Sequence, residues 1–243
     1  MITRKLTGRV PREAIRCLEI PRLQPSLLQR CAQLTDLTSS LSDALDQLGL
    51  RGAVPARELA PTLSQSRVVG QAVTVRNIER EENPTVSAAS GVGKMGEHEA
   101  YNLAQPGDVV VIQGLAGVSN MGGQSATVAH RAGCAAAIID GGFRDPSASR
   151  ELHFPIWSRG PTPITGKWRL QTVEINGSVR IAGIGVSAGD LVAADEAGVV
   201  FVPFAHVQDV VEQAERIDAG DRRQKADIAA GIDLATLAAT RYK

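Results

Sequence analysis

The sequence predicts a single compact α/β domain with helical extensions at both ends, and three observations carry that expectation. Val109-Val110-Val111-Ile112, a glycine-rich stretch, a helical segment Ser125–Ala132 ending at Gly133, and Cys134–Asp140 follow one another in the chain. Two short aliphatic runs around one helix read as a parallel βαβ crossover. From Thr172 to Val186 apolar residues instead alternate with polar residues and glycines, the pattern of a β-meander. Only eight of the 243 residues are aromatic, against 24 glycines, so the core has to be built from Val, Ile, Leu and Ala between tight turns. The expected organisation is an N-terminal arm over 1–35, the α/β domain over 36–205 and a helical segment over 206–243.

The elements follow in order. Leu41, Ala44, Leu45 and Leu48 repeat at helical spacing, with Thr38 or Ser39 as N-cap and Gly49 as the stop. Val68–Val75 reads as a strand running into the polar segment Arg76–Asn83, and Pro84–Gly93 reads as a loop. Glu97–Ala104 has helical character, and Pro106-Gly107-Asp108 turns the chain into the buried strand Val109–Ile112. Asn176-Gly177 is a strong hairpin signal. Leu191–Ala194 and Val199–Val202 are further strands, and His206–Ile217 is a helix. Asp221–Lys243 is also helical, interrupted at Gly231.

Composition excludes several classes of function. Twenty-six basic residues balance 26 acidic ones, which disfavours a nucleic-acid partner, because displacing counterions from phosphates needs a basic surplus. No apolar run approaches the roughly 20 residues of a membrane helix. Cys17, Cys31 and Cys134 are too few and too irregularly spaced for a disulfide framework or a zinc site, and each is expected to pack as a small hydrophobe. With no secretory h-region at the N-terminus, a cytoplasmic setting is the expectation. The basic residues Arg4, Lys5, Arg9, Arg12, Arg16, Arg22 and Arg30 read as a solvated arm or a subunit contact.

The chemistry concentrates where the two central strands end. Ile138-Ile139-Asp140-Gly141-Gly142-Phe143-Arg144-Asp145 takes a buried strand into two glycines and then sets Arg beside Asp. Ligands of α/β sheets gather at the carboxyl ends of strands. Glycine lets backbone approach a ligand closely, Arg can clamp a carboxylate, and an Asp oxygen suits Mg²⁺ or Mn²⁺. A surface turn with an Arg–Asp ion pair explains the same residues. Met121-Gly122-Gly123-Gln124-Ser125 also follows a strand and opens a helix, whose free N–H groups can hold an anion. No Gly-Lys-Ser or Gly-Lys-Thr follows, so a nucleotide P-loop is disfavoured. The pair of elements points to a small acidic metabolite.

These residues resemble a known family. Gly107-Asp108-Val109-Val110-Val111, the Gly-Gly turn, Ile139–Asp145, Phe154-Pro155-Ile156-Trp157-Ser158-Arg159-Gly160 and Gly189–Val200 stand in the order found in one family. It comprises regulator of ribonuclease activity A (RraA) and the 4-hydroxy-4-methyl-2-oxoglutarate/4-carboxy-4-hydroxy-2-oxoadipate aldolases. Leu41-Ser42-Asp43-Ala44-Leu45-Asp46 resembles its N-terminal helix. The resemblance implies an α/β fold of the swivelling β/β/α type, assembled as trimers or hexamers. It also implies a class II aldolase that uses Mg²⁺ or Mn²⁺ to release pyruvate from a small 2-oxo acid. By that likeness Asp145 anchors the metal, Arg144 holds the substrate, and backbone N–H groups around Gly122, Gly123, Gln124 and Ser125 bind pyruvate oxygens.

One position departs from the pattern. The aldolase signature sets an acid about twenty residues before Arg-Asp, and here that position is Gly123. A missing carboxylate weakens metal binding and changes the supply of protons. Either the metal site has decayed or another acid replaces the lost one. Lys94-Met95-Gly96-Glu97-His98-Glu99 offers Glu97, His98 or Glu99 as the substitute, of which at most one or two can face a common site from one helix; a solvated helix start whose acids favour the dipole is the plainer account. His153 is an alternative acid/base, though such a His is more often a surface or interface residue. Asp195-Glu196 is either a water-positioning pair or a strand-end turn. The resulting expectation is a metal-dependent carbon–carbon lyase. The rivals are a non-catalytic protein-binding regulator, and a different lyase or hydrolase with the 84–99 segment as a new wall.

Overall fold

A computed structural model describes residues 5–242; Arg4 of the basic arm lies outside them. After a 3-10 turn at Arg12–Ala14 come α1 (Pro25–Ala32), α2 (Leu37–Gln47), β1 (Ala53–Pro55), β2 (Ala60–Pro61), β3 (Val68–Glu79), α3 (Pro84–Ser90) and α4 (Glu97–Leu103). There follow β4 (Val109–Gln113), α5 (Gly123–Arg131), β5 (Ala136–Asp140), α6 (Pro146–Glu151), β6 (Ile156–Ser158) and β7 (Leu170–Ile175). The chain closes with β8 (Ser178–Ile181), β9 (Ile184–Ser187), β10 (Leu191–Asp195), β11 (Gly198–Val202), α7 (Val207–Ala229) and α8 (Leu234–Ala239).

The mixed sheet runs β1-β11-β10-β3-β4-β5-β6-β2, with β7 on β3 and β8–β9 as a separate hairpin. Strand β3 joins its two halves. Val68–Gln71 pair antiparallel with β10, and Ala72–Arg76 pair parallel with β4. A register shift between Arg76 and Asn77 on the β7 side adds to the natural strand twist and curls the sheet. The expected crossover is β4–α5–β5, with Val109 opposite Ala136 and Ile112 opposite Ile139, and β6 extends it in parallel. The loops leaving β4 and β5 therefore emerge on the same sheet edge, the edge where α/β folds bind ligands.

Aliphatic side chains fill the core, as composition requires. One cluster packs Val73, Val110, Ile112, Ile139 and Tyr101 under α4 and α5. A second sets Val111, Ile138 and Trp157 against Val179, Ile181 and Val186 of the β8–β9 hairpin. The third joins α1, α2 and α7 to β10 and β11 through Leu37, Leu41, Val200, Val210 and Ile217. Four of the eight aromatics, Phe143, Phe154, Trp157 and Trp168, lie close to Arg144 in the chain; the first three are buried in this packing and Trp168 is half-buried. Cys31 and Cys134 are buried too, and burial pushes both thiols up to about 12.

Several local expectations change. Pro84–Gly93 is not a loop but contains α3, started by Pro84 and by Asn83, whose side chain accepts from the Thr85 N–H at 2.8 Å. Its small polar composition hid a seven-residue helix. Strand β3 continues past Val75 to Glu79 because β7 covers it. Asn176-Gly177 does not close a hairpin; β7 pairs with β3, and the tight two-residue turn is Ala182-Gly183 between β8 and β9. Both turn residues have positive φ, +46° and +87°, as a type I′ turn needs. The N-cap of α2 is Asp36, while Thr38 gives its N–H and hydroxyl to Asp195.

The N-terminal segment is a strap rather than a solvated arm. Thr7 N–H donates to Glu99 at 2.8 Å, Ile15 bridges Ile175, and Arg16 pairs with Glu174. Arg22 pairs bidentately with buried Asp108 at 2.6 and 3.0 Å. Arg30, on the unforeseen helix α1, pairs with Glu215 of α7.

Candidate active site

Three pieces of chain meet at the sheet edge. The β4–α5 loop is knitted by the fully buried Asn120, whose amide donates to Leu115 and Val118 carbonyls at 3.2 and 3.1 Å. Its side chain also leaves no room for anything larger than glycine at 141. The β5–α6 loop is tied to the first by the Arg144 N–H, which donates to the Met121 carbonyl at 2.9 Å. The start of α4 closes the third side. Together they border a cleft of about 410 Å³ lined by Glu97, His98, Gly122, Gly123, Gln124, Ser125, Arg144 and Asp145.

Asp145 adopts the left-handed backbone conformation, φ +62°, which costs roughly 1 kcal/mol for a residue with a Cβ. That conformation precedes α6 without capping it. The carboxylate turns instead toward α5, accepting from the Gly123 N–H at 2.9 Å, with Arg144 Nε 3.5 Å from its other oxygen. Gln124 and Ser125 follow in the first turn of α5, where N–H groups have no acceptor one turn back in the helix.

The structure gives Gly123 a physical reason. A Cβ at position 123 would lie 2.9 Å from the Ala148 Cβ and 3.2 Å from the Asp145 Cβ. An acid there has no space while α6 and Asp145 keep their places. A carboxylate does enter from elsewhere: Glu97 is 5% exposed, so it is no solvated helix terminus. Its Oε1 accepts from Ser125 Oγ at 3.0 Å, and Ser125 lies 2.9 Å from the Tyr101 hydroxyl. Burial, reinforced by the charge of Glu97, pushes the Tyr101 phenol well above its ordinary value, so it stays protonated. The chain then runs from Tyr101 O–H to Ser125 to Glu97. Glu97 Oε2 is buried without a hydrogen-bond partner.

The other candidates separate. His98 lines the cleft beside Glu97, whereas Glu99 turns to the strap and holds Thr7. His153 is exposed beyond the end of α6 and is not among the cleft-lining residues; the structure does not bring it to Asp145. Asp195 is a structural acceptor for Thr38 and Ala197, and Glu196 accepts from the Gln65 N–H. Sequence reasoning missed Tyr101, although its spacing from Glu97 by one helical turn was a usable signal. It also missed Arg9 and Lys167, which line the cleft from segments that local pattern does not connect to it.

Among the described residues no group of three or more His, Cys, Asp or Glu side chains forms a ready-made metal cage. The donor set still fits Mg²⁺ or Mn²⁺. Mg²⁺ is commonly held through one or two carboxylates, with water and substrate oxygens completing the shell. Asp145 offers a carboxylate with 46% of its side chain exposed.

A curled mixed sheet with an acid–arginine pair at the carboxyl ends of parallel strands places the chain in the α/β class of proteins. Within it, the RraA-like family model (Aldolase/RraA) matches residues 38–201, and the chain belongs to that family. A Halalkalibacterium halodurans protein named "Putative 4-hydroxy-4-methyl-2-oxoglutarate aldolase" is 30% identical over 202 residues, 80% of this chain and 86% of that protein. Protein DlpA of Legionella pneumophila is 27% identical over 213 residues, 86% of this chain, and the chain spans only 33% of DlpA's length. An uncharacterised Pseudomonas syringae structure superposes with TM-score 0.79 at 28% identity, covering 92% of this chain and 97% of that one. Streptomyces coelicolor RraAS2, described as an unusual member of the RNase ES inhibitor RraA family, gives TM-score 0.67 at 25% identity. It covers 86% of this chain and 98% of that chain. Among the described residues no helix is long and apolar enough to cross a membrane.

Proposed function

We propose that the chain is a divalent-cation-dependent carbon–carbon lyase that splits a 4-hydroxy-2-oxo acid and releases pyruvate. One observation carries the reading: Arg144, Asp145 and Glu97, whose carboxylate is buried with one oxygen unpartnered, line the same cleft. The name of the Halalkalibacterium relative supports the substrate class. Mg²⁺ or Mn²⁺ at Asp145 would withdraw electrons from the 2-oxo group and so favour the enolate. Arg144 holds the substrate's 2-oxo carboxylate, and the N–H groups of Gln124 and Ser125 donate to its other charged oxygens.

Glu97 handles the proton. Its free oxygen takes the proton from the C4 hydroxyl as the C3–C4 bond breaks and C4 becomes a carbonyl. The bond's electron pair moves to C3, giving the pyruvate enolate. Glu97 then returns the proton to C3, so the set is restored with no net proton change. Ser125, backed by Tyr101, holds Oε1 and leaves Oε2 free of hydrogen bonds. Decarboxylation of oxaloacetate passes through the same enolate and is a companion activity. We include self-association, as a trimer or hexamer, and a cytoplasmic location in this proposal.

The test combines purified protein, Mg²⁺ or Mn²⁺, and a panel of 4-hydroxy-2-oxo acids and oxaloacetate, with pyruvate as readout. The expected result is pyruvate release that falls in Asp145→Asn and Asp145→Ala. Absence of pyruvate throughout, or undiminished activity in the variants, contradicts the reading and leaves a protein-binding regulator like the RNase inhibitors among its relatives.

A further inference from the structure

We infer that Arg9, carried into the cleft by the N-terminal strap, recognises a second carboxylate on the substrate and selects dicarboxylic 2-oxo acids over monocarboxylic ones. This rests on the lyase reading only in taking the cleft as the substrate site.

The strap holds Arg9 in place from both sides. Before it, Thr7 gives its N–H and its hydroxyl to the same oxygen of Glu99, which is fully buried on α4. After it, Val10 is buried, and a Cβ on Gly96 would come within 2.4 Å of its side chain. The chain is fixed again where Ile15 bridges Ile175. Between these anchors Arg9 lines the cleft together with Met95 and Glu97. No hydrogen bond or ion pair of its guanidinium occurs among the described residues, unlike those of Arg16, Arg22 and Arg30.

The two arginines belong to different walls. Arg144 stands beside Gly122, within 4.0 Å of where its Cβ would be, and next to Asp145. Arg9 passes over Gly96, its carbonyl 3.5 Å from the position of a Cβ there. Lys167, whose ammonium rests 4.3 Å over the Trp168 ring, lines the same cleft. Three cations thus line a cleft with two carboxylates: Asp145, which stands beside Arg144 and holds the Gly123 N–H, and Glu97, one oxygen of which holds Ser125. A ligand with one carboxylate satisfies Arg144 and leaves Arg9 without an anion; a carboxylate at each end satisfies both walls. The strap lies outside residues 38–201, which the family model matches.

The test measures binding rather than turnover. Calorimetry with Mg²⁺-loaded protein compares 2-oxoglutarate with 2-oxopentanoate, which has the same chain length and one carboxylate fewer. Wild-type protein is expected to bind 2-oxoglutarate about tenfold more tightly. Arg9→Gln brings the two within about twofold without changing 2-oxopentanoate binding. Arg12→Gln, on the strap but bonded to the Ile15 carbonyl at 2.9 Å, keeps the preference. No preference in the wild type, no binding of either acid, or a preference that survives Arg9→Gln overturns the inference. Because the readout needs no catalysis, an inactive protein that still shows the Arg9-dependent preference refutes the lyase reading alone.

Discussion

At the scale of single residues, position 123 explains how a site can keep its neighbours and lose an acid. Gly123 is tight against Ala148, and its N–H is the anchor of the Asp145 carboxylate. Gly123→Ala is expected to destabilise the fold by about 1 kcal/mol, overpacking outweighing alanine's better helix propensity. Ala148→Gly in the same protein should recover part of that, and a double-mutant cycle by urea unfolding reads the coupling. Additive effects would remove the steric account of the glycine. Arg144 and Asp145 were legible as neighbours at a strand end because the sequence sets them side by side. Glu97 was legible only as a candidate, since its burial depends on Ser125 and Tyr101 from other positions of the fold. His153 is near Asp145 along the chain, but α6 sets the two at its opposite ends.

At the scale of elements, the β4–α5–β5 crossover could be read directly, because β-branched runs, a glycine turn and a helix stop all agree. Helix α3 and the strand end at Glu79 could not, since the first is too short for periodicity and the second depends on the partner β7. The turn assignment failed for a physical reason: Asn176 adopts positive φ to move the chain between sheets, and the hairpin turn falls to Ala182. Ala182→Asn should therefore stabilise the protein by about 0.5–1 kcal/mol, because Asn tolerates the left-handed region better. An unchanged or lowered denaturation midpoint would contradict that turn assignment.

At the scale of the whole molecule, the strap couples the N-terminus to the site. Arg22 compensates Asp108, which is 3% exposed beside β4, and Leu23 N–H donates to Gln71 at 3.0 Å. Arg22→Ala leaves that carboxylate buried with no cation beside it, held by the backbone N–H of Gln105, and should cost about 3 kcal/mol. Equilibrium unfolding checks this, and a loss below about 0.5 kcal/mol, the range of a surface pair, would mean the strap is not held there. Composition had indicated basic residues without indicating that they pair within the chain, since balance of charge says nothing about partners in space.

The central claim is that Asp145 and Glu97 together make the cleft a lyase site despite glycine at 123. The most direct measurement is pyruvate release from 4-hydroxy-4-methyl-2-oxoglutarate with Mg²⁺ in wild type, Asp145→Asn and Glu97→Gln. The expected result is activity in the wild type that drops about 100-fold or more in each variant, with folding intact by circular dichroism. Full activity in Glu97→Gln, or none in the wild type with any divalent cation, would contradict it.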